Sequence, residues 1–147
     1  MRLKSIRQRL TGSEGQAIVE FALVMPLLLL LIIGVVEFGR AWNIKQVITD
    51  AAREGARIAV IYEPTMTFDS VYNTTARAMA RGGVAPPPAN GATITITGWN
   101  DGGGQPATVA IAVPYNFVFF GPMYNLFFNQ SKTHTMTLNT SFTMRNE

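Results

Sequence analysis

Gly15-Gln16-Ala17-Ile18-Val19-Glu20-Phe21 opens the stretch that decides the fold, which continues through the uncharged run Ala22 to Val36 and into Glu37-Phe38-Gly39-Arg40-Ala41-Trp42. From Phe21 to Val36 there are sixteen residues without a charge, about 24 Å of helix at 1.5 Å per residue and short of a ~30 Å hydrocarbon core. Extending the span back to Ala17 gives about 30 Å and places Glu20 inside one leaflet. A carboxylate costs up to about 3.5 kcal/mol at the bilayer centre and less near the end, so an acid within the span calls for a partner. The alternative starts the helix at Phe21 and leaves Glu20 among the headgroups, where an acid near a helix N-terminus is favourable.

Beyond Trp42 the apolar stripe continues. Ala41, Ile44, Ile48, Ala51, Gly55, Ile58 and Tyr62 recur at steps of three and four, with Asn43, Gln46, Asp50, Arg53 and Arg57 on another face. This spacing predicts a single helix over residues 17–62, ended by Glu63-Pro64 because the residue before a proline is pushed out of the helical region. Pro26 is expected to kink it or leave a carbonyl unpaired, which transmembrane helices tolerate. Asp50 with Arg53 and Glu54 with Arg57 are expected surface pairs at i,i+3. Gly55, among Ala51, Ala52, Ala56 and Ala59, predicts close approach by another element, either the chain's own sheet or a second subunit.

Charge divides the chain. Of twelve Lys and Arg and nine Asp and Glu, four bases (Arg2, Lys4, Arg7, Arg9) and one acid (Glu14) lie in residues 1–15, which leaves eight of each for the remainder. No basic surface survives outside this leader, which argues against nucleic acid as a partner. A basic leader before an apolar run also begins a secretory signal, but Glu37-Phe38-Gly39-Arg40 supplies no small-residue cleavage site, so the helix is expected to remain as an anchor. Arg40, Lys45 and Arg53 follow the run, so charge specifies orientation weakly. There is no cysteine, and an extracytoplasmic domain must then be held by packing.

After the helix, Thr67 or Asp69 caps a short helix to Arg81 that stops at Gly82-Gly83, with Phe68, Val71, Tyr72, Thr75 and Met79 inward. Three prolines in Val84 to Gly91 make an extended connection. The period then changes to two. Residues 93–97 and 108–113 predict a hairpin across a loose loop containing Asn100-Asp101-Gly102-Gly103-Gly104, with Pro114 ending the second strand. Residues 133–144 predict a third strand with His134, Met136, Leu138, Phe142 and Met144 on one side. A long helix laid on a small antiparallel sheet is an α+β, two-layer solution, since each element hides its apolar side against the other. The intervening Tyr115 to Phe128 holds five of the nine Phe and two of the four Tyr. Such a segment is costly to expose; it folds under the sheet, dips into the membrane interface or meets a neighbouring subunit.

Catalytic chemistry finds no support. The single histidine, His134, falls on an apolar strand face, the acids are scattered without metal-ligand spacing, and no nucleophile-base-acid set can be assembled. The glycine run lacks the Gly-Lys-Ser/Thr and following helix of a phosphate cradle. The chain is therefore expected not to be an enzyme and to hold no cofactor or metal.

A glycine, four residues and a Glu-Phe opening an apolar helix, behind a short basic leader, resembles the processing site of type IV prepilins. The fuller constellation, Gly15 to Leu31 followed by Glu37-Phe38-Gly39-Arg40 and Ala51-Ala52-Arg53-Glu54-Gly55-Ala56-Arg57, resembles the TadE-like family, minor pseudopilins of the tight-adherence (Tad or Flp) pilus. The resemblance implies a pilin-like fold: a leader at 1–15, a transmembrane and amphipathic helix at 16–62, and an extracytoplasmic α+β domain at 63–147. It implies cutting of the Gly15–Gln16 bond by a prepilin peptidase, with Glu20-Phe21 as the motif for processing and assembly. It further implies a single-pass protein of the bacterial cytoplasmic membrane with its N-terminus inside. Its partners would be the membrane, the peptidase, other pilins and pseudopilins and the Tad secretion machinery, and its task pilus assembly, with adhesion, DNA uptake and secretion as the open ends that assembly would serve. The competing reading is an uncleaved single-pass protein whose external domain is a binding module in an envelope complex.

Overall fold

The structure is a computed structural model that describes residues 13–61, 63, 65–99, 104–128 and 135–145. The apolar run and the amphipathic stripe form one helix, α1 (Ser13–Ala59), of 47 residues, about 70 Å long. It starts before Gly15, and it ends at Ala59, three residues short of the expected Tyr62. The chain has left the helix before Glu63-Pro64 can act on it: Val60 and Ile61 still donate to the carbonyls of Ala56 and Ile58, and the helix has ended in a turn. Tyr62 and Pro64 lie outside the described residues. Pro26 sits within the helix, where its ring nitrogen has no proton for the carbonyl one turn back.

The two halves of α1 have different surroundings. Its apolar N-terminal window, of mean hydropathy 2.8, is buried nowhere against the rest of the chain. By length and composition α1 is able to cross a membrane. In its C-terminal half Ile48, Ala51, Ala52, Ala56 and Ala59 are core residues. The small side chains let two layers approach from neighbouring directions. On one side lies α2 (Phe68–Arg81), capped by the Thr67 hydroxyl accepting from Ser70 N–H at 3.3 Å. Val71, Thr75 and Met79 are its buried residues, and Phe68 stays at the rim. The helix closes where Gly83 takes a φ of 79° and Val84 N–H reaches the Met79 carbonyl at 3.0 Å, a left-handed termination suited to glycine.

On the other side lies a three-stranded antiparallel sheet in the order β1 (Thr93–Thr97), β2 (Pro106–Asn116), β3 (Thr135–Arg145). The alternation expected for the strands sets the layer: Ala107, Val109, Ile111, Val113 and Tyr115 of β2 face α1 and are buried. Ile96 and Phe142 flank Val109 on that face, and Leu138 and Met136 lie opposite Val113 and Tyr115. The outer face is rich in threonine, with Thr108 and Thr143 sharing a 2.8 Å hydrogen bond. This is the α+β arrangement anticipated.

Two further expectations need correction. Pro114 does not end β2, which runs on to Asn116 with Pro114 opposite Thr137. Pairing with β1 covers only Thr108 to Ala112, so Pro106 and Pro114 fall just outside the doubly paired segment and pair with β3 alone, positions where a strand tolerates proline. Glu54 does not pair with Arg57; both its oxygens accept from Arg81 Nη2 of α2 at 2.8 Å. The Asp50–Arg53 pair does form, at 3.1 Å, with the Arg53 guanidinium 5.1 Å above the Phe142 ring. The close approach at Gly55 is made by this chain: a Cβ there would overlap Thr75 Oγ1 and lie 3.4 Å from Val109 Cγ1, so α2 and the sheet share the space. His134 and the loop residues 100–103 lie outside the described residues.

Candidate functional site

Two regions of α1 carry polar chemistry on an otherwise apolar helix. The first is Gly15, Gln16, Glu20 and Phe21. All four are within α1, so the Gly15–Gln16 bond lies in its first turn, where backbone N–H groups lack intrahelical acceptors and the helix frays most readily. Glu20 and Phe21 are exposed, as are their neighbours Ile18, Val19 and Leu23. Glu20 has no hydrogen bond or ion pair to another described residue. It therefore stands on an apolar rod with no partner among the described residues, where an acid within a membrane span calls for one.

The second region was not foreseen. Glu37 is 2% exposed, the most deeply buried acid among the described residues. It lies four residues before Ala41 and so begins the inward stripe of α1. Its carboxylate accepts from the Tyr115 hydroxyl at 2.5 Å through one oxygen and from the Phe119 N–H at 2.6 Å through the other. The Tyr115 hydroxyl also lies 3.3 Å from the Glu37 carbonyl oxygen. Burial, with the Glu37 carboxylate as acceptor, pushes the Tyr115 phenol up to about 12. The last residues of β2 and the turn entering α3 (Phe120–Phe128) are thereby fastened to α1 one residue past the uncharged run.

The aromatic segment is divided by this junction. Tyr115 belongs to the core, with Phe117 edge-on at 5.3 Å and Phe120 edge-on to Phe117 at 6.2 Å. Val118 and Phe119 point out. Lower on the same domain Lys45 donates to the Asn139 carbonyl and the Thr49 hydroxyl lies 3.3 Å from that of Thr140, tying α1 to β3. Among the described residues no group of three or more His, Asp or Glu is gathered as a metal site.

Residues 15–57 match the family model described as TadE-like protein. The chain is TadE-like over this stretch. The match coincides with α1 to within two residues at either end, and it takes in both polar regions while leaving the sheet, α2 and α3 outside. No curated protein and no solved structure matches the chain.

Proposed function

We propose that this TadE-like chain is a minor pseudopilin. A prepilin peptidase cuts the Gly15–Gln16 bond, and the mature chain then takes part, as a structural subunit and not as an enzyme, in assembling a Tad/Flp-type pilus. The observation that carries this reading is the bare N-terminal half of α1: an apolar helix exposed around its circumference, bearing one unpartnered acid at Glu20, within a segment whose family match begins at Gly15.

The chemistry is electrostatic. Cutting leaves an ammonium at Gln16, at the helix end where the macrodipole is already positive and a cation is unfavourable. Glu20 is one helical turn away along the same face. When helices of neighbouring subunits pack side by side in lipid, the carboxylate of one meets the amine of the next, and two ions costly in hydrocarbon neutralise each other. The unprocessed chain lacks that amine. The leader then lies on the cytoplasmic side of the membrane and the sheet on the other, which agrees with the four bases in residues 1–15. N-terminal sequencing and intact-mass measurement of protein extracted from its host's membranes tests this reading. A chain beginning at Gln16 is expected; one that retains its first fifteen residues in cells with an active peptidase overturns it and leaves the uncleaved anchor with an external binding module.

A further inference from the structure

The Glu37 junction fixes where the aromatic segment sits along α1, and α1 fixes where it sits relative to lipid. A span from Ala17 to Val36 fills about 30 Å, so Glu37 and Phe38 emerge at the far interface. Phe119, whose N–H is 2.6 Å from the Glu37 carboxylate, is held at that same level beside the helix. Phe38 and Trp42 stack with centroids 6.0 Å apart and are 68% and 55% exposed. Val118 and Phe119, across the junction, are 45% and 46% exposed. Large apolar side chains thus stand out on two separate elements, within about 8 Å of Glu37 along the helix axis. The one acid at that height is turned inward and saturated, and the nearest exposed charge is Arg40, whose long stem can keep its head in the headgroup layer.

We infer that Phe38, Trp42, Val118 and Phe119 form an interfacial collar that rests in the outer leaflet of the membrane α1 crosses, with the start of α3 lying on the bilayer surface. The occupant is lipid because Phe38 and Trp42 carry the exposed apolar surface of α1 on past Glu37, and because Trp is enriched at the membrane–water boundary while Trp and Phe form the buried face of segments that lie in it. The fold has moreover placed the Glu37 carboxylate, the group least compatible with that depth, under the Tyr115 hydroxyl and the Phe119 N–H. The consequence is mechanical. The sheet is seated against the bilayer at a fixed height, and any movement of α1 along the membrane normal has to lift the collar out of the interface. This rests on α1 spanning a membrane and not on cleavage at Gly15, so it stands or falls separately from the pseudopilin reading.

The absence of cysteine makes a direct test available. In the full chain, single substitutions Val118→Cys, Phe119→Cys and, as an aqueous control on the outer face of β3, Thr143→Cys each receive a spin label. The proteins are reconstituted into phosphatidylcholine vesicles, and label accessibility to oxygen and to a water-soluble nickel chelate is measured. The expected result is a several-fold higher oxygen-to-nickel ratio at 118 and 119 than at 143. Equal nickel access at all three positions overturns the inference. Protection from both reagents at 118 and 119, with dipolar broadening that disappears on dilution with unlabelled protein, also overturns it by assigning the collar to a second copy. Because all three sites are exposed, folding is checked independently by retention of the near-ultraviolet signal of the buried Tyr115.

Discussion

Tyr115, near the end of the central strand, donates its hydroxyl proton to the carboxylate of Glu37 at 2.5 Å, although 78 residues separate them. The pair joins the point where α1 leaves its apolar run to the end of the sheet, and it is nearly closed to solvent. Removing one partner leaves the other buried and under-bonded, which costs more than an average hydrogen bond. Tyr115→Phe is expected to lower unfolding free energy by about 1.5–3 kcal/mol, the range for hydrogen bonds to charged groups. In a double-mutant cycle, adding Glu37→Gln to Tyr115→Phe is expected to cost less than the sum of the single changes, since the second no longer strands a charge. Denaturant unfolding in a fixed detergent measures both; strict additivity would show the contact to be energetically empty.

The same pair makes a pH prediction. The Tyr115 phenol is raised from 10.0 to about 12 in the folded chain. A raised acid stabilises the fold fully below its unfolded value and loses that contribution as pH climbs through the folded one. Stability assigned to this phenol is therefore intact up to about pH 10 and falls between there and about pH 12. Ultraviolet phenolate absorbance of the folded protein should show a late-titrating component, and Tyr115→Phe should remove it.

Gly55 makes a packing prediction. An alanine there gains up to about 1 kcal/mol of helix propensity, but its Cβ would overlap Thr75 Oγ1. Thr75 is fully buried and donates to the Val71 carbonyl at 2.9 Å, so it cannot swing clear. Overpacking costs about 1–3 kcal/mol and outweighs the gain in propensity, and Gly55→Ala is expected to lower the melting temperature. Thr75→Ala in the same chain removes the obstructing oxygen and should restore part of the loss.

These cases show what the sequence made legible. The period of three and four from Ala41 onward fixed α1's inner face, and the change to a period of two fixed the sheet, because each pattern records which side of an element meets the core. Close approach at Gly55 was readable from its small neighbours. Glu37 was not, although it stands in phase with the stripe, four residues before Ala41: a charge beside a membrane span reads as the polar edge of that span. Only the fold shows Tyr115 and the Phe119 N–H converging on it. Likewise Glu54 with Arg57 satisfied helix spacing, but the alternative partner, Arg81, became visible only when α2 was laid against α1. Of the first polar region, Gly15, Gln16, Glu20 and Phe21, the spacing was legible, and the described residues of a single chain hold no contact of Glu20 from which its role could be read.

The Glu54–Arg81 pair is a prediction of small effect. Its geometry is good, with both carboxylate oxygens 2.8 Å from Nη2, but the side chains are 38% and 67% exposed, so water and salt screen the attraction. Arg81→Ala is expected to cost less than about 1 kcal/mol, and that difference should shrink further in high salt. A loss several times larger would mean that the guanidinium stem, not its charge, holds α2 in place.

On the pseudopilin reading, variants of Gly15 and Glu20 separate processing from assembly. If the peptidase recognises the small residue before the scissile bond, Gly15→Ala blocks cleavage and full-length chain accumulates in the membrane. On the proposed reading Glu20 has a different role, because its carboxylate would act only once the Gln16 amine exists. Glu20→Ala is expected to be cut and membrane-inserted but to be lost from sheared pilus fractions. Glu20→Gln should behave like Glu20→Ala, since it keeps the shape and removes the charge. Glu20→Asp should recover part of the assembly, with the carboxylate one methylene short. Immunoblots of membrane and sheared fractions read all four variants, and normal assembly by Glu20→Gln would sink the ion-pair account while leaving cleavage at Gly15 standing. The physical reason for expecting the split is that helices in lipid gain nothing hydrophobic from association with one another, so an ammonium and a carboxylate that neutralise each other across subunits supply attraction that the leucine-rich surface of α1 cannot.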